Sequence, residues 1–300
     1  MTTERNKEEL ALIALLYSGD VASLPPAELR RRFDDGATPL AMLGGEADAL
    51  LPTDTTSELT NAQHQLDIWN AEGITILTPF STNYPSQLRS VFDYPLVLFA
   101  RGEVVNDRLS AAIVGSREVS PAGLGFAGEL AGMLASDGIT VVSGLARGVD
   151  GAAHRAALDA GGRTVAVLGN GLRTVYPAEH RALQAQIADT GLLVSQFRPE
   201  SRPTRQTFPQ RNITMSAYSS VTVIAEASEK SGTRIQAHAA IKHARPLVLT
   251  AQVVRDTTWG QHFAGGGYDV AVAGDAQEAR VAVREILERS SRAAGWLIGA

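Results

Sequence analysis

The sequence predicts an α/β protein: a doubly wound, mainly parallel sheet with a small N-terminal helical module. Three observations carry this. Seven short, continuous, β-rich apolar runs recur: Ala111–Val114, Thr140–Val142, Thr164–Leu168, Leu192–Ser195, Val221–Ala225, Pro246–Thr250 and Val270–Val272. Helical stretches alternate with them, near Gly123–Ser136, Gly151–Ala160, Glu179–Asp189, Gly232–Lys242 and Ala276–Glu288. Gly-rich turns join run to helix. Strands that are apolar on both faces belong to a parallel sheet covered by helices.

The elements follow in order. Glu8–Tyr17 is apolar, flanked by charge and without strand alternation, so it reads as a helix. Pro26 before Glu28–Phe33 marks a second helix start, since proline fits the first turn. Ala47–Leu59 is polar and turn-rich and reads as a linker, and Thr60–Ala71 as a further helix. Ile74–Leu77 reads as a strand, Asn83–Leu88 as a loop running into a helix, and Leu96–Ala100 as a strand ended by Arg101-Gly102. The expected organisation is a helical module over 1–60, a linker helix and lead-in strands over 61–107, the α/β body over 108–290, and a tail over 291–300.

Length and composition narrow the function classes. A chain of 300 residues suits about two domains and buries roughly three quarters of its unfolded surface, so it needs no staple. It has no cysteine, which removes disulfides, thiol nucleophiles and Cys-zinc sites. The first twenty residues lack the basic start and cleavage site of a signal peptide. No apolar run approaches the ~20 residues of a membrane span. A soluble, cytoplasmic protein is expected. The net charge of −5 argues against a basic nucleic-acid wrapper. It is uneven, however: residues 1–60 hold 5 basic and 11 acidic side chains, while the remainder is close to neutral. Only Lys7, Lys230 and Lys242 are lysines. Arginine suits two-point phosphate grip, although codon bias explains the preference as well.

Chemistry in an open parallel sheet sits beyond the carboxyl ends of the strands. Three successive exits are notable: Gly115-Ser116-Arg117, then Ser143-Gly144 with Arg147, then Asn170-Gly171, with Tyr176-Pro177 downstream. Glycine lets backbone amides approach an anion, serine adds a hydroxyl and arginine a fork of donors. One such turn alone is a necessity of the fold; three together point to a shared phosphate-binding rim. Arg198, Arg202, Arg205 and Arg211 follow in a Pro-rich stretch with Phe208-Pro209. Arginines tracking a backbone beside a stacking aromatic hold single-stranded nucleic acid, and a solvated loop is the bland alternative. Glu226 with Ser231-Gly232-Thr233 opens another helix, either as a phosphate or ribose site or as an ordinary cap. Neither a dinucleotide fingerprint nor a nucleotide-hydrolysing P-loop is present. The histidines fall in no metal pattern, and no catalytic set emerges. No catalytic residue, metal or cofactor is therefore expected.

These motifs coincide with a known family. From about Gly73 to Glu288 the chain resembles the DNA-processing protein A family (DprA, also called Smf). The matching stretches are AIVGSREVSPAG at 112–123, VVSGLARGVDGAAH at 141–154, GGRTVAVLGNGLRTVYPAEHRAL at 161–183, LLVSQFRPESRPTRQTFPQRN at 192–212 and EASEKSGTRIQAHAAIKHARPL at 226–247, preceded by NYPSQLRSVFDYPLVLFARG at 83–102. The resemblance implies an extended Rossmann-like fold. It also implies a homodimer that binds single-stranded DNA, protects it and loads RecA recombinase onto it in natural transformation, without enzymatic activity. Carried over, the phosphate contacts are Ser116, Arg117, Ser143, Gly144, Arg147, Asn170, Gly171, Arg211 and Asn212. Phe208 is the stacking candidate on physical grounds, and Arg205, Glu226, Ser231, Gly232 and Thr233 are secondary candidates.

The chain departs from the family in three places. Ile213 stands where a second arginine is usual, Arg234 and Gln236 replace apolar or small positions, and the N-terminal module lacks the Gly-x-Gly hairpin of many members. The module is thus a degenerate version of the family's, and the chain ends without the winged-helix extension that some members carry. Two other readings remain. One is a nucleotide sensor or N-glycosidic-bond hydrolase of the wider Rossmann-like group, in which Glu226 stabilises charge at the ribose. The other is a divergent paralogue acting in defence against foreign DNA.

Overall fold

The computed structural model describes residues 4–17, 24–44 and 55–298. The chain divides into two compact units, Met1–Tyr84 with Pro95–Ala100, and Pro85–Tyr94 with Arg101–Ala300.

The first unit holds α1 (Glu4–Tyr17), α2 (Pro26–Asp34), α3 (Pro39–Leu43) and α4 (Thr56–Ala71). Proline begins both α2 and α3, where its missing N–H has no intrahelical partner to lose. Thr38 caps α3, accepting from the Ala41 amide at 3.3 Å. Leu10 to Leu15 are buried without interruption, which explains why α1 shows no clear amphipathic period. Trp69 of α4 meets Tyr17 and Phe99 edge to face at 5.8 and 5.0 Å. Helix α4 begins at Thr56, inside the segment read as linker, because Thr56–Leu59 continues its turns; residues 45–54 of that segment lie outside the described residues. β1 (Thr75–Leu77) pairs antiparallel with β2 (Leu98–Gly102), Thr75 opposite Ala100.

The second unit is the α/β body. Its strands are β3 (Ser110–Gly115), β4 (Thr140–Ser143), β5 (Thr164–Val167), β6 (Leu192–Ser195), β7 (Val221–Glu226), β8 (Leu247–Thr250) and β9 (Val270–Ala273). They run parallel in the order β6-β5-β4-β3-β7-β8-β9. The chain steps outward from β3 through β4, β5 and β6, then returns to place β7 on the other side of β3. The β3–β7 boundary is therefore the topological switch point, where open α/β sheets bind ligands. The helices are α5 (Pro121–Ser136), α6 (Val149–Asp159), α7 (Arg181–Thr190), α8 (Thr207–Tyr218), α9 (Thr233–Lys242), α10 (Ala251–Asp256), α11 (Thr258–Gly265) and α12 (Ala276–Ile298). Leu130 and Leu134 of α5, Ala153 and Ala157 of α6, and Val283 and Ile286 of α12 share one core with Ile113, Val141 and Val223 of the strands. The helix α8 is a correction. The Pro-rich stretch read as a loop ends at Thr207, so Phe208 and Arg211 stand on a helix. Pro209 falls in its first turn, where proline is tolerated.

One buried carboxylate ties the amino ends of the strands together. Asp107 accepts from Thr140 Oγ1 at 2.8 Å, Arg163 Nε at 2.7 Å and Tyr218 Oη at 2.6 Å. These residues lead into or begin β3, β4, β5 and β7. Burial and the Asp107 charge push the Tyr218 phenol well above its usual range. No described helix is long and apolar enough to cross a membrane.

Candidate nucleic-acid interface

At the switch point, β3 and β7 slip register between Val114 and Gly115. A groove of about 660 Å³ lies beside this slip, at the carboxyl ends of the strands. Its walls come from the β3 exit (Gly115, Ser116, Arg117), the start of α8 (Phe208, Arg211, Asn212), the α9 entry (Ser231, Gly232, Thr233), Arg205 and Tyr176.

The β3 exit is fixed by its neighbours. The Ser116 amide donates to Glu226 O at 2.9 Å, and its hydroxyl to Glu118 O at 2.7 Å. Val149 N donates to Ser116 O at 3.3 Å. Gly148, at φ +72°, brings the β4–α6 loop directly onto the Ser116 and Arg117 carbonyls, an approach that any side chain would block. The first two turns are therefore one joined wall. Arg117 is exposed and lies over the Phe208 ring, its guanidinium carbon 4.9 Å from the ring centre. Among the described residues it makes no ion pair.

Arg211 reaches the groove floor but is an interior group. Only 4% of it is exposed. One Nη donates to Gly144 O and, at 2.8 Å, to Val167 O, joining the ends of β4 and β5. Gly144 is required here because an added Cβ would occupy the space of this guanidinium. Asp150 is the counter-charge, and it accepts from the Gly144 and Ala146 amides at 3.2 and 3.3 Å. Burial raises the Asp150 pKa, with the Arg211 charge acting against it. Burial likewise lowers the Arg211 pKa, opposed by Asp150.

Several sequence candidates do not line the groove. Ser143 is fully buried and donates to Ile113 O at 2.7 Å, so its hydroxyl belongs to the sheet. Gly144 serves Arg211 as described. Asn170 is buried and donates to Gly171 O at 3.0 Å and Thr174 O at 2.8 Å, shaping its own turn. Gly171 is packed against the Arg198 and Pro199 carbonyls. Arg147 is exposed but grips Glu179 with two nitrogens, Nη2 at 2.8 Å and Nε. That hydrogen bond holds the Glu179 carboxyl below its ordinary range. Glu226 accepts from the Ser120 amide at 3.0 Å and from its hydroxyl, so it seals the start of α5 and is closed to a ribose. Of the three guanidinium groups expected on one rim, Arg117 and Arg211 share the groove and Arg147 stands outside it.

The remaining candidates do face the groove. Ser231 Oγ donates to Thr233 Oγ1 at 2.8 Å and accepts from the Thr233 amide at 3.2 Å, closing the α9 turn. Asn212 Nδ2 donates to Gly232 O at 3.5 Å, joining α8 to that turn. Sequence reasoning passed over Tyr176, noting it only as downstream of the third turn; its position between that turn and Glu179 was the available signal.

The family model described as DNA recombination-mediator protein A matches residues 75–267. Protein Smf of Escherichia coli is 41% identical over 183 residues, 60% of this chain and 49% of that protein. DNA processing protein DprA of Bacillus subtilis is 34% identical over 184 residues, 61% and 62% of the two chains. The chain thus spans about half to three fifths of the length of these curated relatives. Among solved structures, DprA from Streptococcus pneumoniae superposes with a TM-score of 0.63 at 24% identity over 91% of this chain and 94% of that one. A structure of Helicobacter pylori DNA processing protein A, described by its single-stranded DNA binding mode, gives 0.61 at 27% identity over 72% and 96%.

Proposed function

This chain belongs to the DNA recombination-mediator protein A family, and from that premise we propose that it binds single-stranded DNA in the groove at the β3–β7 switch point. The observation that carries the reading is Arg117, an exposed cation that lies over an aromatic ring at an open groove and makes no ion pair among the described residues. Such a group is available to a phosphate. Arg211 is balanced by Asp150 and serves to shape the floor, while the α9 amides present their positive end beside Gly232. The role is binding rather than catalysis, in keeping with the family and with the engagement of Glu226 at α5. RecA recombinase as the downstream partner, action as a homodimer and a cytoplasmic location form part of the same proposal.

Fluorescence anisotropy with a labelled oligothymidylate tests it. Wild-type affinity falls steeply with salt, since each neutralised phosphate on a single strand adds ~0.7 to the log–log slope. Arg117→Ala weakens binding about tenfold. Unchanged affinity in that variant overturns the groove assignment. Co-purification with RecA, in the presence and absence of the oligonucleotide, tests the partner.

A further inference from the structure

We propose that Tyr176, rather than Phe208, is the surface on which a base stacks, and that it gives the groove its preference for single strands over duplex; this rests on the single-stranded DNA reading above. Phe208 is half-buried and occupied on two sides. An added Cβ on Gly169 would lie 2.7 Å from its Cδ1 and 3.0 Å from its Cε1, so the ring rests on the β5 exit backbone. Arg117 covers it from above at 4.9 Å. A base stacking there has to displace the phosphate donor. The ring is placed instead to support two neighbours, Arg117 and Tyr176.

Tyr176 differs on every count. It is 42% exposed. It lines the groove, with its ring centre 5.6 Å from that of Phe208 and its plane inclined at 41°. Its hydroxyl has no hydrogen-bond partner among the described residues. The loop that carries it is held by Asn170 Nδ2 on Thr174 O at 2.8 Å and ends in the 3-10 turn Ala178–His180. The backbone on either side of the ring is therefore set before binding, which lowers the ordering cost. Arg117 and Tyr176 flank one pedestal, so a nucleotide whose phosphate meets Arg117 has an aromatic surface within reach. Stacking of this kind tolerates any base. Duplex DNA keeps its base faces covered and gains only the phosphate contacts.

The test compares three ligands of equal length: an oligothymidylate, an abasic oligonucleotide with the same number of phosphates, and a duplex. Expected for Tyr176→Ala is a five- to tenfold loss on oligothymidylate, no change on the abasic strand or the duplex, and an unaltered thermal midpoint. Tyr176→Phe restores the affinity. Phe208→Ala weakens both single-stranded ligands, because Arg117 loses its support. Equal weakening of oligothymidylate and abasic strand by Tyr176→Ala, no weakening at all, or failure of Tyr176→Phe to restore binding overturns the stacking role. Arg117→Ala separates the two claims. If it leaves every ligand unaffected, the single-stranded DNA reading itself fails. If it weakens all of them while Tyr176→Ala weakens none, only the stacking role fails.

Discussion

The two ends of the parallel sheet are built on opposite rules. At the amino ends, Asp107 is buried and accepts from Thr140, Arg163 and Tyr218, so the charge there is neutralised within the protein. At the carboxyl ends, Arg117 is exposed without a carboxylate, and Tyr176 shows its ring to the groove. Arg211 and Asp150 lie between these extremes, buried and balanced but at the groove floor. The contrast teaches that charge type alone does not mark a binding residue. What marks it is a cation whose partner the protein has not supplied.

The comparison breaks first at the amino end. Asp107→Ala leaves Tyr218 without its acceptor and Arg163 with only Glu103, and removal of one member of a buried charged network costs roughly 3–5 kcal/mol. Urea unfolding is expected to show that loss, while oligonucleotide affinity measured well below the transition stays near wild type. A stability loss under about 1 kcal/mol would remove the distinction between the two ends.

Acid sharpens the same contrast. His154 donates or accepts at Thr164 Oγ1 over 2.7 Å, and its Nε2 is buried without a partner among the described residues. Burial, followed by the charges of His180, Arg211 and Arg155, lowers its pKa from 6.5 to about 3. The unfolded chain therefore takes up a proton below pH 6.5 that the folded chain refuses until about pH 3. Stability falls as pH drops through that window, by about 1.4 kcal/mol per unit for this one group. Urea midpoints from pH 7 to 4 are expected to show a shallower decline in His154→Leu than in wild type. An identical slope in both proteins refutes the assignment.

At the carboxyl end the effects move from stability to binding. Arg117→Ala is expected to cost about 1.4 kcal/mol of oligonucleotide affinity, which is tenfold, with the urea midpoint shifted by less than about 0.5 kcal/mol, as for most surface substitutions. The smallest effect is expected at Glu179, which pairs with Arg147. Glu179→Gln frees that arginine and is expected to tighten binding two- to threefold at low salt, a gain that shrinks as salt rises. Weaker binding in this variant would place Glu179 on the DNA side of the contact.

Much of the fold was legible because each buried strand is a local apolar run. Glycine at the β3 exit marked a wall of the groove, whereas Gly144 and Gly171 at the next two exits are packed against Arg211 and against the Arg198 and Pro199 carbonyls. Two things were not legible. Helix α8 was hidden because Pro203 and Pro209 read as loop residues, although a proline in the first turn of a helix breaks nothing. The direction of each arginine was hidden as well. Arg211 turns inward because its acceptor Gly144 lies 67 residues earlier in the chain, and Arg147 is drawn aside by Glu179, 32 residues later. No local pattern records such pairings. Phe208 lines the groove, but its occupied faces follow from Gly169 and Arg117 together, not from its sequence neighbours.

The amide of Val149 on Ser116 O, with Gly148 pressed against the same segment, has a kinetic meaning. Two loops fastened in this way cannot swing apart separately, so an arriving strand meets a finished wall. Under the proposed binding, association is expected to proceed in one step, with a rate governed by electrostatic encounter. A plot of observed rate against DNA concentration stays linear instead of levelling at the speed of an internal rearrangement.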